Sequence, residues 1–161
     1  MSLDGYIAGP NGESDWIVMD PDIDFDALMG RLDTFLMGRR TFEVAGGGAM
    51  PGTKTVVVSR TLKQEDHPNV KIIGDDLRGA ITDLRAEPGK DVWLFGGGSL
   101  FRALLDLRLV DVVEVAIIPV LLGAGTPFLP PGKGAGLRFV RSRVYEKTGT
   151  VLLEYAVDAA R

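Results

Sequence analysis

The sequence predicts a three-layer α/β/α fold whose central sheet is mixed, mostly parallel, and ends in an antiparallel hairpin. Three observations lead there. Residues 34–37, 54–59 and 91–95 are short apolar runs, each closed by glycine or a polar pair, and runs apolar on both faces belong to parallel strands covered by helices. Residues 22–32, 76–86 and 99–107 have the spacing of amphipathic helices. After residue 107 the helical rhythm stops, and two further runs flank Thr148-Gly149, a hairpin turn signal.

Taken in order, the chain opens with an irregular stretch, Gly9-Pro10-Asn11-Gly12-Glu13-Ser14, that reads as a loop. Asp20, Asp22, Asp24 and Asp26 crowd the start of the helix at 22–32, and some of them will cap it. In the helix at 99–107, Leu100, Phe101, Leu104 and Leu105 share one stripe, while Arg102 and Asp106 form an outward i,i+4 pair. Residues 110–118 form a long strand. Residues 121–136 carry Gly123, Gly125, Pro127, Pro130, Pro131, Gly132, Gly134 and Gly136, a density that no strand or helix interior tolerates. Loops this long in a compact domain are functional or mobile. Residues 137–147 and 150–157 complete the hairpin.

Composition narrows the function. The 161 residues suit one domain, 1–161, and hydrophobic residues at 45% with charged residues at 25% are ordinary for a folded globular chain. A net charge of −4, with no Lys/Arg stripe, speaks against nucleic acid. No cysteine and a single histidine leave little for a zinc site, and His67, beside Pro68 among polar residues, reads as a loop residue. No apolar run approaches a membrane span and no signal peptide is visible, so a cytoplasmic location is expected.

Three strand ends carry the candidate chemistry. In Leu94-Phe95-Gly96-Gly97-Gly98-Ser99-Leu100-Phe101-Arg102 a strand feeds glycines and then a helix, the arrangement that offers free backbone N–H groups to an anion. A Rossmann motif would need glycine in place of Phe101, and a tight turn with close packing explains the glycines equally well. Two companions shift the balance toward a ligand. Gly38-Arg39-Arg40-Thr41 follows the strand at 34–37 and Ser59-Arg60-Thr61 follows the strand at 54–59, so guanidinium and hydroxyl groups stand just past carboxyl ends, where ligands of open α/β sheets bind. Arginine forks suit phosphate oxygens, and a ribose 2′-phosphate would favour NADPH over NADH. For each segment alone, Thr41 as a helix cap and the arginines as a solvated edge is a sufficient account.

With these residues in view, the chain resembles the dihydrofolate reductase fold, in its RibD C-terminal (riboflavin-biosynthesis reductase) branch. Met37-Gly38-Arg39-Arg40-Thr41-Phe42-Glu43, Val57-Val58-Ser59-Arg60 and Phe95-Gly96-Gly97-Gly98-Ser99-Leu100-Phe101 look like its three NADPH-binding segments in order and spacing. Ser2-Leu3-Asp4-Gly5-Tyr6-Ile7-Ala8, the segment Gly12 to Trp16-Ile17, and Pro119-Val120-Leu121-Leu122-Gly123-Ala124-Gly125-Thr126-Pro127-Phe128 match that branch. The resemblance implies that Gly38, Arg39, Arg40 and Thr41 hold the adenosine phosphates, with Ser59 and Arg60 near the 2′-phosphate. Gly96, Gly97, Gly98 and Ser99 would cradle the pyrophosphate, with Leu100 close by. Ile7 and Ala8 would lie near the nicotinamide, and Trp16 and Phe42 near the substrate pocket. The loop from Gly5 to Trp16 would be a lid, with Asp4 and Asp15 on its borders as candidate proton donors. The implied activity is an NADPH-dependent reduction similar to that of 5-amino-6-(5-phosphoribosylamino)uracil reductase, by a homodimer, on a small heterocyclic substrate.

The chain also departs from the family. There the first strand runs several residues before Ser2-Leu3-Asp4-Gly5, so unpaired groups are expected beside the strand that would neighbour it. The riboflavin reductases carry a different segment at Gly38-Arg39-Arg40-Thr41. The acid that a dihydrofolate reductase bears on its first helix has no single match among Asp20, Asp22, Asp24 and Asp26. Two other readings stay open: a reductase acting on a pterin, which requires a buried carboxylate on the helix at 22–32, and a nucleotide-binding protein without turnover.

Overall fold

The apolar runs form strands where the sequence places them, and shorter elements fill the intervals. The computed structural model describes residues 1–158. In chain order its elements are β1 (Tyr6–Ala8), α1 (Phe25–Gly30), β2 (Leu32–Gly38), α2 (Arg39–Val44), β3 (Lys54–Val58), a 3₁₀ turn (Gln64–Asp66), β4 (Lys71–Ile73), α3 (Leu77–Ala86), β5 (Asp91–Gly96), α4 (Gly98–Asp106), β6 (Val112–Ile117), β7 (Thr126–Pro127), β8 (Leu137–Tyr145) and β9 (Thr150–Val157). The mixed α/β class is as the sequence predicts. A parallel sheet has the order β4-β3-β2-β5, and antiparallel pairing joins β6-β9-β8 and β1-β7.

These elements divide into two compact units, one of residues 24–103 and one of residues 1–23 with the segment from Leu104 onward. The parallel sheet belongs to the former. Its core is Phe35, Met37, Phe42, Val57 and Val70, with Met50, Leu62, Ile72 and Trp93 packed against it. Because β2 and β3 are covered on both sides, Phe35 to Met37 and Thr55 to Val57 are buried without alternation. The two buried threonines of these strands are satisfied: the Thr34 hydroxyl donates to Asp33 Oδ1 at 2.8 Å, and Thr55 Oγ1 accepts the Met50 N–H at 2.8 Å.

Caps set the helix boundaries. The Asp76 carboxylate accepts the Gly79 N–H at 2.9 Å and starts α3 at Leu77, within the expected range. Asp24 caps α1 in the same way through the Ala27 N–H at 2.8 Å, so that helix is six residues rather than the predicted span of 22–32. The elements the sequence left unmarked are α2, β1, β4 and β7. All are six residues or fewer, too short for periodicity to register.

In the other unit, β9 lies between β6 and β8, and the hairpin turns at Thr148-Gly149 as expected. A register shift between Phe139 and Arg141 inserts Val140 as an extra residue. On the far side of β6, part of the pairing expected to be open is taken up by the first two residues. The Ile118 N–H donates to the Met1 carbonyl at 2.8 Å, and Ser2 bridges Ile118 in parallel. No helix among the described residues is long and apolar enough to cross a membrane.

Candidate functional site

Adjacent registers bring the three predicted segments to one end of the parallel sheet. Gly38 is opposite Val58 and Met37 is opposite Gly96, so the chain leaves β3, β2 and β5 at one level on strands spaced about 4.8 Å apart. From those positions emerge Ser59 and Arg60, Arg39 to Thr41, and Gly97 to Ser99. Arg39, Arg40, Arg60 and Ser99 are exposed, and Gly98 is buried.

Each segment has a local reason for its shape. The Ser59 hydroxyl accepts the N–H groups of Thr61 (3.1 Å) and Leu62 (3.0 Å), a hydroxyl turn that halts β3 and leaves Arg60 at its apex. Ser59 is itself buried, so its side chain shapes the turn while Arg60 faces solvent. At the end of β5 a bulge sets Gly96 against Met37, with φ +153° and a cis Gly96–Gly97 peptide. A Cβ at Gly96 would lie 3.2 Å from Thr41 Oγ1 and 3.3 Å from Thr41 Cγ2, and one at Gly97 would lie 3.4 Å from Thr41 Oγ1. Thr41 and the glycines thus approach closely enough that the turn is bare backbone on its inner side. Three guanidinium groups and a bare glycine turn leading into α4 fit a ligand bearing phosphates.

Two more of the predicted positions are buried. Phe42, assigned by resemblance to the substrate side, is 1% exposed. It packs in the core and meets His67 edge to face at 5.3 Å between centroids. Leu100, expected beside the cofactor, is also buried, on the stripe it shares with Leu104. Alternation on a six-residue helix could not show which side chain of Arg39–Val44 turns inward.

The candidates of the other unit cluster around β1. Ile7 and Ala8 are half-buried, with β1 paired to β7 through Tyr6–Pro127 and Ala8–Thr126. The Asp4 carboxylate accepts the Gly123 N–H at 2.7 Å, the Leu122 N–H at 3.1 Å and the Ser2 hydroxyl at 2.7 Å. The Ser2 hydroxyl, then the Gly123 N–H, hold its pKa below the ordinary value of 3.8. At neutral pH Asp4 is therefore an acceptor with its lone pairs in use, suited to ordering the loop at Leu122-Gly123 rather than to giving a proton. Asp15 is exposed on the loop and has no partner among the described residues. Trp16 donates its indole N–H to the Glu13 carbonyl at 3.1 Å, and Ile17, Val18 and Met19 after it are exposed.

Among the four crowded aspartates, Asp20 alone is buried, at 1% exposure. Its carboxylate accepts the Thr148 hydroxyl at 2.9 Å, the Thr148 N–H at 3.0 Å and the Asp22 N–H at 2.9 Å. Desolvation is the largest single influence and pushes its pKa up. The hydrogen bonds from Asp22 and Thr148, with the Lys147 charge, together outweigh it, so the net shift is downward. A group whose folded pKa lies below its unfolded value stabilises the fold fully above the unfolded value of 3.8, and that stability is lost as pH falls through the folded pKa. Thermal melts of the unaltered protein should therefore fall steadily below about pH 4, and Asp20→Asn should flatten that acid limb. An unchanged acid limb in the variant would remove Asp20 from this role.

Asp24 and Asp26, on or beside α1, are both exposed, and α1 buries no residue. The buried carboxylate that a pterin site requires is therefore missing from that helix. A groove at the opposite end of the parallel sheet is lined by Asp33, Lys54, Glu87 and Lys90. There Lys54 pairs with Glu87, and Asp33 accepts the Lys90 N–H at 2.6 Å. The Lys90 ammonium donates to the Gly30 carbonyl at 2.8 Å, so each of these charged groups already has a partner.

Comparison with known proteins shows the family and the fold. The family model described as the RibD C-terminal domain matches residues 1–151. An uncharacterized protein of Bacillus subtilis, YyaP, is 36% identical over 171 aligned positions, covering 96% of this chain and 90% of that one. Among solved structures, a protein described as a candidate riboflavin biosynthesis protein from Shewanella sp. PV-4 superimposes with a TM-score of 0.83 at 27% identity, covering 99% of this chain and 96% of that one. Dihydrofolate reductase from Enterococcus faecalis, solved with NADP(H), superimposes with a TM-score of 0.74 at 19% identity, covering 99% and 93%. The last of these speaks to the fold alone.

Proposed function

Because this chain belongs to the RibD C-terminal domain family of reductases, we propose that it is an NADPH-dependent oxidoreductase that reduces a small heterocyclic substrate of the 5-amino-6-(5-phosphoribosylamino)uracil kind. The observation that carries the proposal is the convergence of Arg39, Arg40, Arg60 and the Gly96–Gly98 turn at one level of the β3-β2-β5 edge. In this reading Arg40 and Arg60 bind the 2′-phosphate with Arg39, while the N–H groups of the glycine turn and Ser99 receive the pyrophosphate. Bound NADPH would supply a hydride to an electron-poor carbon of a ring or sugar imine.

The chain's own residues bind and orient. Thr41 stands where a side chain at Gly96 or Gly97 would meet it, so the turn beside it stays bare. The resemblance assigns Ile7 and Ala8 to the nicotinamide and Trp16 to the substrate. Asp4 fixes the loop at Leu122-Gly123. Since that carboxylate is ionised, the proton that completes the reduction at the imine nitrogen comes from water. The proposal includes a homodimer in which a second copy covers the exposed Leu137, Phe139, Val140 and Val144 of β8. A pterin substrate is disfavoured by the exposed carboxylates of α1.

Titration of NADPH and NADH, followed through Trp16 and Trp93 fluorescence, tests the assignment. Saturable binding with at least a tenfold preference for NADPH is expected, since each charge-assisted hydrogen bond contributes about 1.5 kcal/mol or more. Absence of saturable binding, or equal affinities, would remove the cofactor assignment; light scattering on the same sample reports a monomer or a dimer.

A further inference from the structure

Of the three arginines at the strand ends, one is already engaged. Arg39 Nη1 lies 2.9 Å from Glu43 Oε1, an i,i+4 pair along α2, with the side chains 43% and 48% exposed. Arg40 and Arg60 have no such partner among the described residues. Gly38 and Val58 are paired in register, so Arg39 and Arg60 each stand within two residues of that pair. A phosphate placed between them would be offered one open guanidinium from each segment and a third that is held by a carboxylate.

Resting on the cofactor reading above, we infer that Glu43 sets how strongly this protein prefers a 2′-phosphorylated dinucleotide, by competing with the phosphate for Arg39. The physical ground is that a guanidinium has a fixed fork of donors. Arg39 cannot give its Nη1 side to the Glu43 carboxylate and the same donors to a phosphate at once. Binding a 2′-phosphate through Arg39 therefore either breaks the Arg39–Glu43 pair or uses only the remaining N–H groups. A dinucleotide without the 2′-phosphate has no claim on Arg39 and meets neither cost. Glu43 thus acts on one of the two cofactors, as a specificity-determining residue that touches the phosphate's ligand rather than the phosphate. The pair is exposed enough to open readily, since exposed i,i+4 pairs contribute little to stability.

Glu43→Gln keeps the shape of the side chain and removes its charge. In fluorescence titrations it should tighten NADPH about threefold, the factor that corresponds to an exposed ion pair, and leave NADH within experimental error. Arg39→Gln should weaken NADPH and not NADH, and adding Glu43→Gln to it should restore nothing, because the two act through one another. Circular dichroism confirms that each variant is folded. Equal tightening of both cofactors by Glu43→Gln, no tightening of either, or a gain that persists in the Arg39→Gln background would overturn the inference while leaving NADPH binding intact. Failure of the unaltered protein to bind NADPH would instead sink the cofactor reading and this inference together.

Discussion

Replacement of Gly97 by valine is expected to weaken NADPH binding by on the order of 100-fold, with the fold retained. The size follows from losing about two charge-assisted hydrogen bonds to phosphate, at about 1.5 kcal/mol each, where every 1.4 kcal/mol is tenfold. Gly97 is the informative position because a Cβ there meets Thr41 Oγ1 at 3.4 Å, an ordinary contact, whereas Gly96 combines φ +153° with contacts at 3.2 and 3.3 Å. A side chain at Gly96 would strain the backbone and confuse folding with binding. At Gly97 an alanine fits, whereas on the cofactor reading the two methyls of valine would take space that the phosphates need. Gly97→Ala should accordingly retain most of the affinity. Normal NADPH affinity in a folded Gly97→Val protein would mean that the glycines serve packing.

Phe42→Ala should cost about 3–5 kcal/mol of stability, the range for emptying a buried aromatic site. At a few degrees per kcal/mol for a chain of this length, the melting temperature should drop by roughly 10 °C. Phe42 is 1% exposed among Phe35, Met37, Val57 and Val70, so its loss opens a cavity under β2 and β3. The resemblance would instead place Phe42 at the substrate and predict a higher KM in a protein of normal stability. Equilibrium denaturation alongside steady-state kinetics separates the two. A stable Phe42→Ala enzyme with raised KM would return Phe42 to the substrate side.

The two residues also mark how far the candidate site was legible. Gly97 is readable because a glycine run between an apolar strand and an amphipathic helix is a local pattern, and its neighbours in space are also strand ends that sequence can recognise. Phe42 is not, because whether a side chain on a single helical turn points inward depends on the sheet beneath it. Glu43 shares that helix. Its pairing with Arg39 follows from the i,i+4 spacing once α2 is known to be helical, but nothing in six residues announces a helix. Asp20 is the clearest case. Its partner Thr148 lies 128 residues away, so no local signal distinguishes it from Asp22, Asp24 and Asp26.

By itself the sequence determined the class of the fold, the positions of its principal strands, the hairpin at Thr148-Gly149 and the three strand-end segments proposed to meet phosphate. All of these rest on patterns within about ten residues of chain: two-sided apolar runs, turn residues and caps. Only the tertiary structure decided which aspartate is buried, that Asp4 spends its charge on Leu122 and Gly123, that Phe42 is core, and that Gly38, Val58 and Gly96 end their strands at one level. Burial and register are set by partners distant in the chain, and the free energy of a side chain depends on what surrounds it as much as on what it is.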